Sequence, residues 1–362
     1  DWVPRRHSGL IIAVFLGNVN DRTRSSDNER IAQLFYHQRR ASVHIFHAII
    51  APMDTYIAID VGGTQIRVAI YPKGENRPIK QKRIPTQGNN QPPLERLIDL
   101  IAELWPAEGQ VCAIGMAAPG WVNPQLGVIY QAPNIPGWEK LPIAQILSKR
   151  FDVPVRLGND ANLAILGEWR YGAGRGHHHL LYLTISTGIG GGVICDDRLL
   201  LGAHGLAAEL GHVTILPDGP LCGCGHRGHL EAIASGTAIA RYVAEQLAQG
   251  VPSSLSELAN PTGRDISMAA ELGDPLAKSA LARAGTFIGY ALANYLHIFN
   301  PSIIILGGGV SKSGPLLIEP LRAALAERIL SPEYLQGLVI TTAELGDDAG
   351  LMGALVLAEG AV

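Results

Sequence analysis

Residues 55–71 read TYIAIDVGGTQIRVAIY, and residues 180–196 read LLYLTISTGIGGGVICD. Each stretch consists of an apolar run, a glycine-rich turn and a second apolar run, a pattern typical of two strands joined by a tight turn. Helical patterns follow both strand pairs. The sequence therefore predicts an α/β protein of two similar lobes with a cleft between them.

The remaining elements fit the same alternation. Further strands are predicted at 111–116, 154–157 and 303–306, each ending at a glycine-containing break. Starts of helices are predicted from proline, asparagine and aspartate signals and from apolar stripes, and they lie at Pro92-Pro93, near Ile143, at Asn159-Asp160, near Pro275 and at Asp347-Asp348-Ala349.

The chain divides by charge into an N-terminal stretch and a main body. Residues 1–52 carry a net charge of +3 and the rest carries −6. Because Met53 immediately precedes the first strand, we interpret residues 1–52 as a non-native or disordered N-terminal extension. The main body is expected to form an N-terminal lobe of residues 53–163 plus 347–362 and a C-terminal lobe of residues 164–346.

Composition narrows the class of protein. With 47% hydrophobic and 17% charged residues, the 362-residue chain is typical of a globular protein. Its four cysteines do not suggest a disulfide framework, which favours the cytoplasm. No run of 18 apolar residues predicts a membrane helix, and the acidic main body does not favour binding to nucleic acid.

The glycine turns indicate phosphate binding. A turn without side chains exposes backbone N–H groups and lets an anion approach closely. Asp60 adds a carboxylate beside the first turn, suited to Mg²⁺ or to its water shell. Taken singly, each turn is equally well interpreted as an ordinary tight hairpin.

Between Gly205 and Glu231 the chain concentrates acids, imidazoles and thiols. A tetrahedral zinc site is predicted from four side chains of residues 212–231, namely His212, Cys222, Cys224 and His229. Two alternatives stay open: His226 in place of His229 as the fourth ligand, or a glycine-rich surface loop that binds no metal.

This layout resembles the zinc loop of the ROK family, which contains sugar kinases and sugar-responsive repressors. The family pattern is Glu-x-Gly-His followed by Cys-x-Cys-Gly-x-x-Gly-Cys-x-Glu, and this chain matches it from Glu209 to Glu231 except for His229 in place of a cysteine. Family landmarks occur in order from Tyr56 to Leu357, so the resemblance covers nearly the whole main body.

The two turns together resemble those of the sugar kinase, heat-shock protein and actin superfamily. The resemblance implies a two-lobed actin-like ATPase (ribonuclease H-like) fold that binds Mg²⁺ and ATP at its interlobe cleft. The residues implied for ATP and Mg²⁺, including an adenosine turn at 307–309, are Asp60, Gly62, Gly63, Thr64, Thr187, Gly188, Gly190, Gly307, Gly308 and Gly309.

Asn159-Asp160 matches the dipeptide of the family that holds the catalytic base. The alternative is that Asp160 only caps its helix; a helix N-terminus is in either case expected to keep the carboxylate ionised. By resemblance, the sugar is bound by Gly120, Asn134, Asn159, Asp160, Glu209, His212 and Glu231. In His212, zinc on one ring nitrogen would leave the other to donate to a sugar hydroxyl.

The resemblance implies a cytoplasmic, homodimeric hexose kinase, most like a bacterial glucokinase, that phosphorylates the C6 hydroxyl and uses zinc only as a structural ion. Another hexose or an N-acetylhexosamine is an alternative substrate. A sugar-responsive repressor is the competing class, but it is expected to need a longer DNA-binding segment than residues 1–52. A catalytically silent sugar-binding protein could dispense with Asp60, Asp160 and the phosphate turns.

Overall fold

The computed structural model describes residues 53–88 and 90–360, so the predicted extension of residues 1–52 lies outside the described residues. In chain order the strands are β1 (Thr55–Val61), β2 (Gln65–Pro72), β3 (Lys80–Pro85), β4 (Val111–Ala118), β5 (Trp121–Asn123), β6 (Val128–Gln131), β7 (Glu139–Leu141), β8 (Val155–Asn159), β9 (Leu180–Ile185), β10 (Ile189–Cys195), β11 (Arg198–Leu199), β12 (Ile303–Gly307) and β13 (Val339–Thr342). The α-helices are α1 (Pro93–Leu104), α2 (Ile143–Phe151), α3 (Asp160–Tyr171), α4 (Leu230–Ala234), α5 (Gly236–Ala248), α6 (Gly263–Glu271), α7 (Pro275–Phe299), α8 (Pro315–Arg328) and α9 (Ala349–Glu359).

Two five-stranded sheets organise the chain. The first has the order β3-β2-β1-β4-β8 and the second the order β11-β10-β9-β12-β13. Each sheet combines an antiparallel hairpin with parallel strands. In the first, β1 pairs antiparallel with β2 and parallel with β4, and in the second, β9 pairs antiparallel with β10 and parallel with β12. The predicted α/β architecture with a repeated strand–turn–strand device is therefore present. Strands β5, β6 and β7 form a separate small sheet.

Helices α3 and α9 share an apolar cluster with both sheets. Leu163 of α3 and Leu355 of α9 are fully buried there with Ala58 of the first sheet and Ile305 of the second. The side-chain pattern explains the position of α9, since its apolar residues surround the helix and are buried on almost every side. The predicted lobe boundary between residues 163 and 164 falls inside α3, and the division into lobes stays a prediction.

The two shared helices touch through glycines. A Cβ added to Gly353 would lie 1.7 Å from the Leu163 carbonyl oxygen, and one added to Gly167 would lie 2.6 Å from the Ala349 oxygen. Since no side chain could fit there, glycine at these positions is what allows the backbones to approach so closely.

A buried carboxylate joins the two chain segments that connect the sheets. Glu168 of α3 is completely buried and accepts the N–H groups of Ala173, which follows α3, and of Glu344 and Leu345, which precede α9. Three donors offset the cost of removing this charge from water. Among the helices that the structure describes, none combines the length and the apolar character needed to cross a membrane.

Candidate active site

The first glycine turn joins β1 to β2. The Gly62 N–H donates to the Gln65 oxygen at 2.8 Å, and the Gly62 carbonyl accepts the Thr86 hydroxyl at 2.6 Å. These bonds fix the backbone of the turn. The N–H groups of Gly63 and Thr64 are thus the amides of this turn that can serve a phosphate, as the sequence predicted for these residues.

Asp60 lies directly beside this turn and is opposed across the hairpin by Arg67. The Arg67 Nε is 3.5 Å from Asp60 Oδ2, while its Nη2 is 3.2 Å from Asp348 Oδ1. Burial raises the pKa of Asp60, the positive charge of Arg67 opposes that rise, and Asp348 adds to it. An added Cβ on Gly350 would come within 3.0 Å of the carboxylate, so glycine at this position is what lets the backbone of α9 lie against Asp60. The carboxylate oxygen is the type of ligand that Mg²⁺ prefers.

The second turn joins β9 to β10. The Ser186 N–H donates to the Gly188 oxygen at 2.8 Å, and the Ser186 oxygen accepts the Gly236 N–H at 2.7 Å. Thr187 and Gly188 are therefore held at the tip as predicted. Gly190, however, lies in β10 rather than in the turn, and an added Cβ would meet that of Ala161 at 3.1 Å.

A cavity of about 890 Å³ opens beside the second turn. Thr187 and Gly309 line it, together with Gly236 at the start of α5. Of the predicted adenosine turn only Gly309 faces this space, because Gly307 packs on Tyr182 and Gly308 on the Ile185 backbone. The cavity has the size of a cofactor or nucleotide pocket.

Much of the cavity wall was missed by the sequence analysis. It comes from the segment of residues 260–271, which includes α6, and from the turn that follows Gly309, with Arg264, Met268 and Lys312 among its side chains. Lys312 carried a weak signal, since it follows the glycine run by three residues. The residues of α6 carried none, because they reach the cavity only through the packing of α6 against α5 and α7.

Asp160 is the first residue of α3, and Asn159 is the one that caps the helix. The Asn159 Oδ1 accepts the N–H groups of Ala161 at 3.0 Å and of Asn162 at 3.3 Å, while its Nδ2 donates to the Gly120 oxygen at 3.0 Å. One hydrogen of the Asn159 amide is left for a ligand. Since another residue performs the capping, Asp160 is available for a different role.

The environment of Asp160 suits a proton acceptor. Its side chain is exposed, yet surrounding protein displaces water from the carboxylate and raises its pKa to about 6. The hydrogen bond from the Ala161 N–H lowers this pKa, whereas the negative charges of Asp60 and Glu209 raise it. The expectation that the helix N-terminus decides its ionisation was therefore incomplete. At neutral pH the carboxylate is still ionised, and its pKa is near the optimum for a general base.

Three further residues predicted to bind sugar lie near the two glycine turns or near Asp160. Asn134 is exposed and lies beside the first turn, because a Cβ added to Gly63 would be only 2.8 Å from the Cβ of Asn134. Glu209 is close enough for its charge to act on Asp160, and its backbone carbonyl accepts the His212 N–H at 3.0 Å. Glu231 instead directs one oxygen to the Ile189 N–H at 3.0 Å.

Four side chains converge in the loop between β11 and α4, and they are the predicted set His212, Cys222, Cys224 and His229. Their ligand atoms lie within 4.8 Å of one another; the closest approaches are 3.2 Å for Cys224 Sγ to His229 Nδ1, 3.4 Å between the two Nδ1 atoms and 3.7 Å for Cys222 Sγ to His212 Nδ1. Ligands of a tetrahedral zinc are separated by roughly 3.3 to 3.8 Å, so the donor set fits this ion.

Both imidazoles turn the same nitrogen, Nδ1, to the cluster. Burial lowers the pKa of His229, which keeps it neutral and able to bind a metal. A metal on Nδ1 of His212 would require its proton to be on Nε2, which then becomes a fixed donor. His226 is exposed and is not among the four converging side chains.

Comparison with known proteins gives consistent results. A model of the ROK family matches residues 56–361. A glucokinase of Thermotoga maritima is 38% identical over 309 residues, which are 84% of this chain and 96% of that protein. The crystal structure of a ROK family glucokinase from Streptomyces griseus in complex with glucose and AMPPNP superposes with a TM-score of 0.70 at 35% identity, covering 84% of this chain and 99% of that one.

A regulator is also similar. The crystal structure of a ROK family transcriptional regulator, a homologue of the E. coli MLC protein, has a TM-score of 0.77 at 28% identity and covers 85% of this chain and 78% of that one. Kinases and regulators thus share this fold, so the fold alone does not separate the two functions.

Proposed function

Because the chain belongs to the ROK family and has its actin-like ATPase fold, we propose that it is an ATP-dependent hexose kinase that converts glucose to glucose 6-phosphate. The observation that carries this proposal is Asp160, a carboxylate with a pKa of about 6 at the start of α3, whose Oδ1 accepts the Ala161 N–H. It lies near Asp60, beside the first glycine turn, and near Glu209, which precedes the metal loop of residues 212–229.

In the proposed reaction, Asp160 accepts the proton of the C6 hydroxyl while the oxygen attacks the γ-phosphorus of ATP in line, and the bond from this phosphorus to the β,γ-bridging oxygen breaks to release ADP. The nucleoside occupies the cavity of about 890 Å³ lined by Gly309, and the N–H groups of both glycine turns bind the phosphates. Mg²⁺, when bound near Asp60, supplies neutralisation of the phosphate charge. The remaining hydroxyls are held by Asn134, Glu209 and the Nε2–H of His212.

The metal loop has a structural part in this proposal. Zn²⁺, when bound by the four converging side chains, holds the loop closed and fixes the tautomer of His212. The ion takes no part in the transfer of the phosphoryl group. The groups that contact the sugar are then Asp160, Asn134, Glu209 and His212.

A panel of hexoses with Mg²⁺·ATP tests the proposal. We expect the highest kcat/KM for glucose, lower values for mannose, fructose and N-acetylglucosamine, and less activity with polyphosphate than with ATP, because the cavity fits a nucleoside. Asp160→Asn protein purified in the same way is the control for contaminating kinases. A wild-type rate no greater than that of this control would refute the proposal.

A further inference from the structure

The Glu231 carboxylate lies between the metal loop and the second glycine turn. Its Oε2 accepts the N–H of Ile189, the first residue of β10, at 3.0 Å. Its Oε1 is 3.5 Å from the Sγ of Cys222, which is one of the four converging side chains. One side chain thus contacts both elements.

Glycine at position 188 makes this contact possible. An added Cβ on Gly188 would lie only 2.4 Å from Glu231 Oε2, so the carboxylate occupies the space that a side chain at the turn would need. Glu231 therefore contacts two consecutive residues of the turn, Gly188 and Ile189. The N–H groups of Thr187 and Gly188, which the proposed function assigns to phosphate, precede this contact directly.

The position of Glu231 is set by the metal loop. It is the second residue of α4 and follows His229, another converging side chain, by two residues. A rearrangement of the loop is therefore expected to shift the start of α4, and with it the Glu231 carboxylate that accepts the Ile189 N–H.

We propose that Glu231 is a positioning residue for the nucleotide, holding the second turn in its phosphate-binding shape and making that shape depend on the metal loop. This inference rests on the proposed function of the turn. It gives Glu231 a role toward ATP in addition to the contact with sugar that the family resemblance implies.

Direct binding of Mg²⁺·AMPPNP without sugar tests the role, since sugar contacts of Glu231 then do not contribute. We expect Glu231→Ala to raise the dissociation constant measured by calorimetry about tenfold, the effect of losing one hydrogen bond to a charged group. Glu231→Gln keeps an oxygen that can accept the Ile189 N–H, so its dissociation constant should stay within about threefold of wild type. Unchanged or tighter binding by the alanine variant would overturn the proposal, as would an equal loss in both variants.

Chelation of the metal gives a second measurement that does not depend on the folding of a variant. In wild-type protein, removal of zinc should weaken AMPPNP binding by a similar factor, and added zinc should restore it. An affinity unchanged by chelation would overturn the link to the loop. If wild-type protein binds no AMPPNP and phosphorylates no glucose, the proposed function has failed instead.

Discussion

Both glycine turns close an antiparallel hairpin, but they differ in length and in what surrounds them. The first has the Asp60 carboxylate beside it, paired with Arg67, and its support comes from nearby segments such as Thr86. The second is supported by Glu231 from the metal loop and opens into the large cavity. On the proposed function, this difference predicts a division of labour, with a cation and the sugar near the first turn and the nucleoside near the second.

The largest effect is expected at Asp160, which is electrostatically coupled to Asp60 and to Glu209. Asp160→Asn should reduce kcat by about 10² to 10⁴ while glucose affinity changes only a few-fold, because it removes the base but keeps the shape. Steady-state kinetics give the change in kcat, and a direct binding measurement gives the change in glucose affinity. A variant with near wild-type turnover would exclude Asp160 as the base.

The pH dependence of the wild type belongs to the same prediction. Since the pKa of Asp160 is about 6, kcat/KM should fall tenfold per unit as the pH drops below that value. The raised pKa also means that the folded state binds more protons than the unfolded state between about pH 4 and 6, so stability falls as pH rises through this window. Asp160→Asn should accordingly raise the thermal midpoint at pH 7.

Loss of a metal ligand should disturb the second glycine turn, because Glu231 contacts both this turn and Cys222, and should leave the first glycine turn unchanged. Cys222→Ser should lower zinc affinity by at least about 10-fold to 100-fold, from a wild-type content near one ion per chain. His229→Cys is the matched variant, which keeps four ligands and should retain zinc. The zinc content of each protein is measured by metal analysis after dialysis. If the wild-type protein contains no zinc, the loop is a surface loop that binds no metal.

Two glycine substitutions separate the turns directly. Gly309→Val adds a side chain where nothing lies within 4 Å, so it should narrow the cavity and raise the KM for ATP about tenfold without lowering stability. Gly63→Ala should instead displace Asn134 and raise the KM for glucose by a similar factor. If both variants change the same KM, the proposed division of labour is wrong.

The smallest effect is expected from Arg67→Gln. Removing the charge of Arg67 should raise the pKa of Asp60 further, since burial and the charges of Asp348 and Asp347 already raise it and only Arg83 remains to oppose them. Activity that requires ionised Asp60 should then begin at higher pH and need more Mg²⁺. Arg83→Gln is the control, because the charge of Arg83 acts less strongly on Asp60. A pH profile that shifts equally in both variants would contradict the pairing.

The sequence predicts the elements that carry strong local patterns. The hairpins around both glycine turns and the long helix Pro275–Phe299 are confirmed. Strand β3 was missed because it is a largely exposed edge strand that begins Lys-Gln-Lys-Arg, without apolar alternation. Helix α8 was missed as well, and Pro320 in its interior works against a helical prediction.

The site shows the same limit. The convergence of Cys222 and His229 could be predicted because the loop brings these side chains together over a short stretch of sequence, and their role as metal ligands stays a prediction. The cavity wall at Met268 and the link from Glu231 to Ile189 depend on segments far apart in the chain. The raised pKa of Asp160 is caused mainly by burial in the surrounding protein and to a smaller extent by the charges of Asp60 and Glu209, and no local pattern predicts these surroundings.

The position of α9 has a consequence for synthesis on the ribosome. This helix is made after every other described element, yet it packs on β1 and β4, the central strands of the sheet made first. The apolar face that α9 covers with Leu351 and Leu355 is thus unprotected while the remainder of the chain emerges. All residues of the apolar cluster formed between residues 181 and 325 are made before α9. The first sheet is therefore translated first, but its apolar face is covered last.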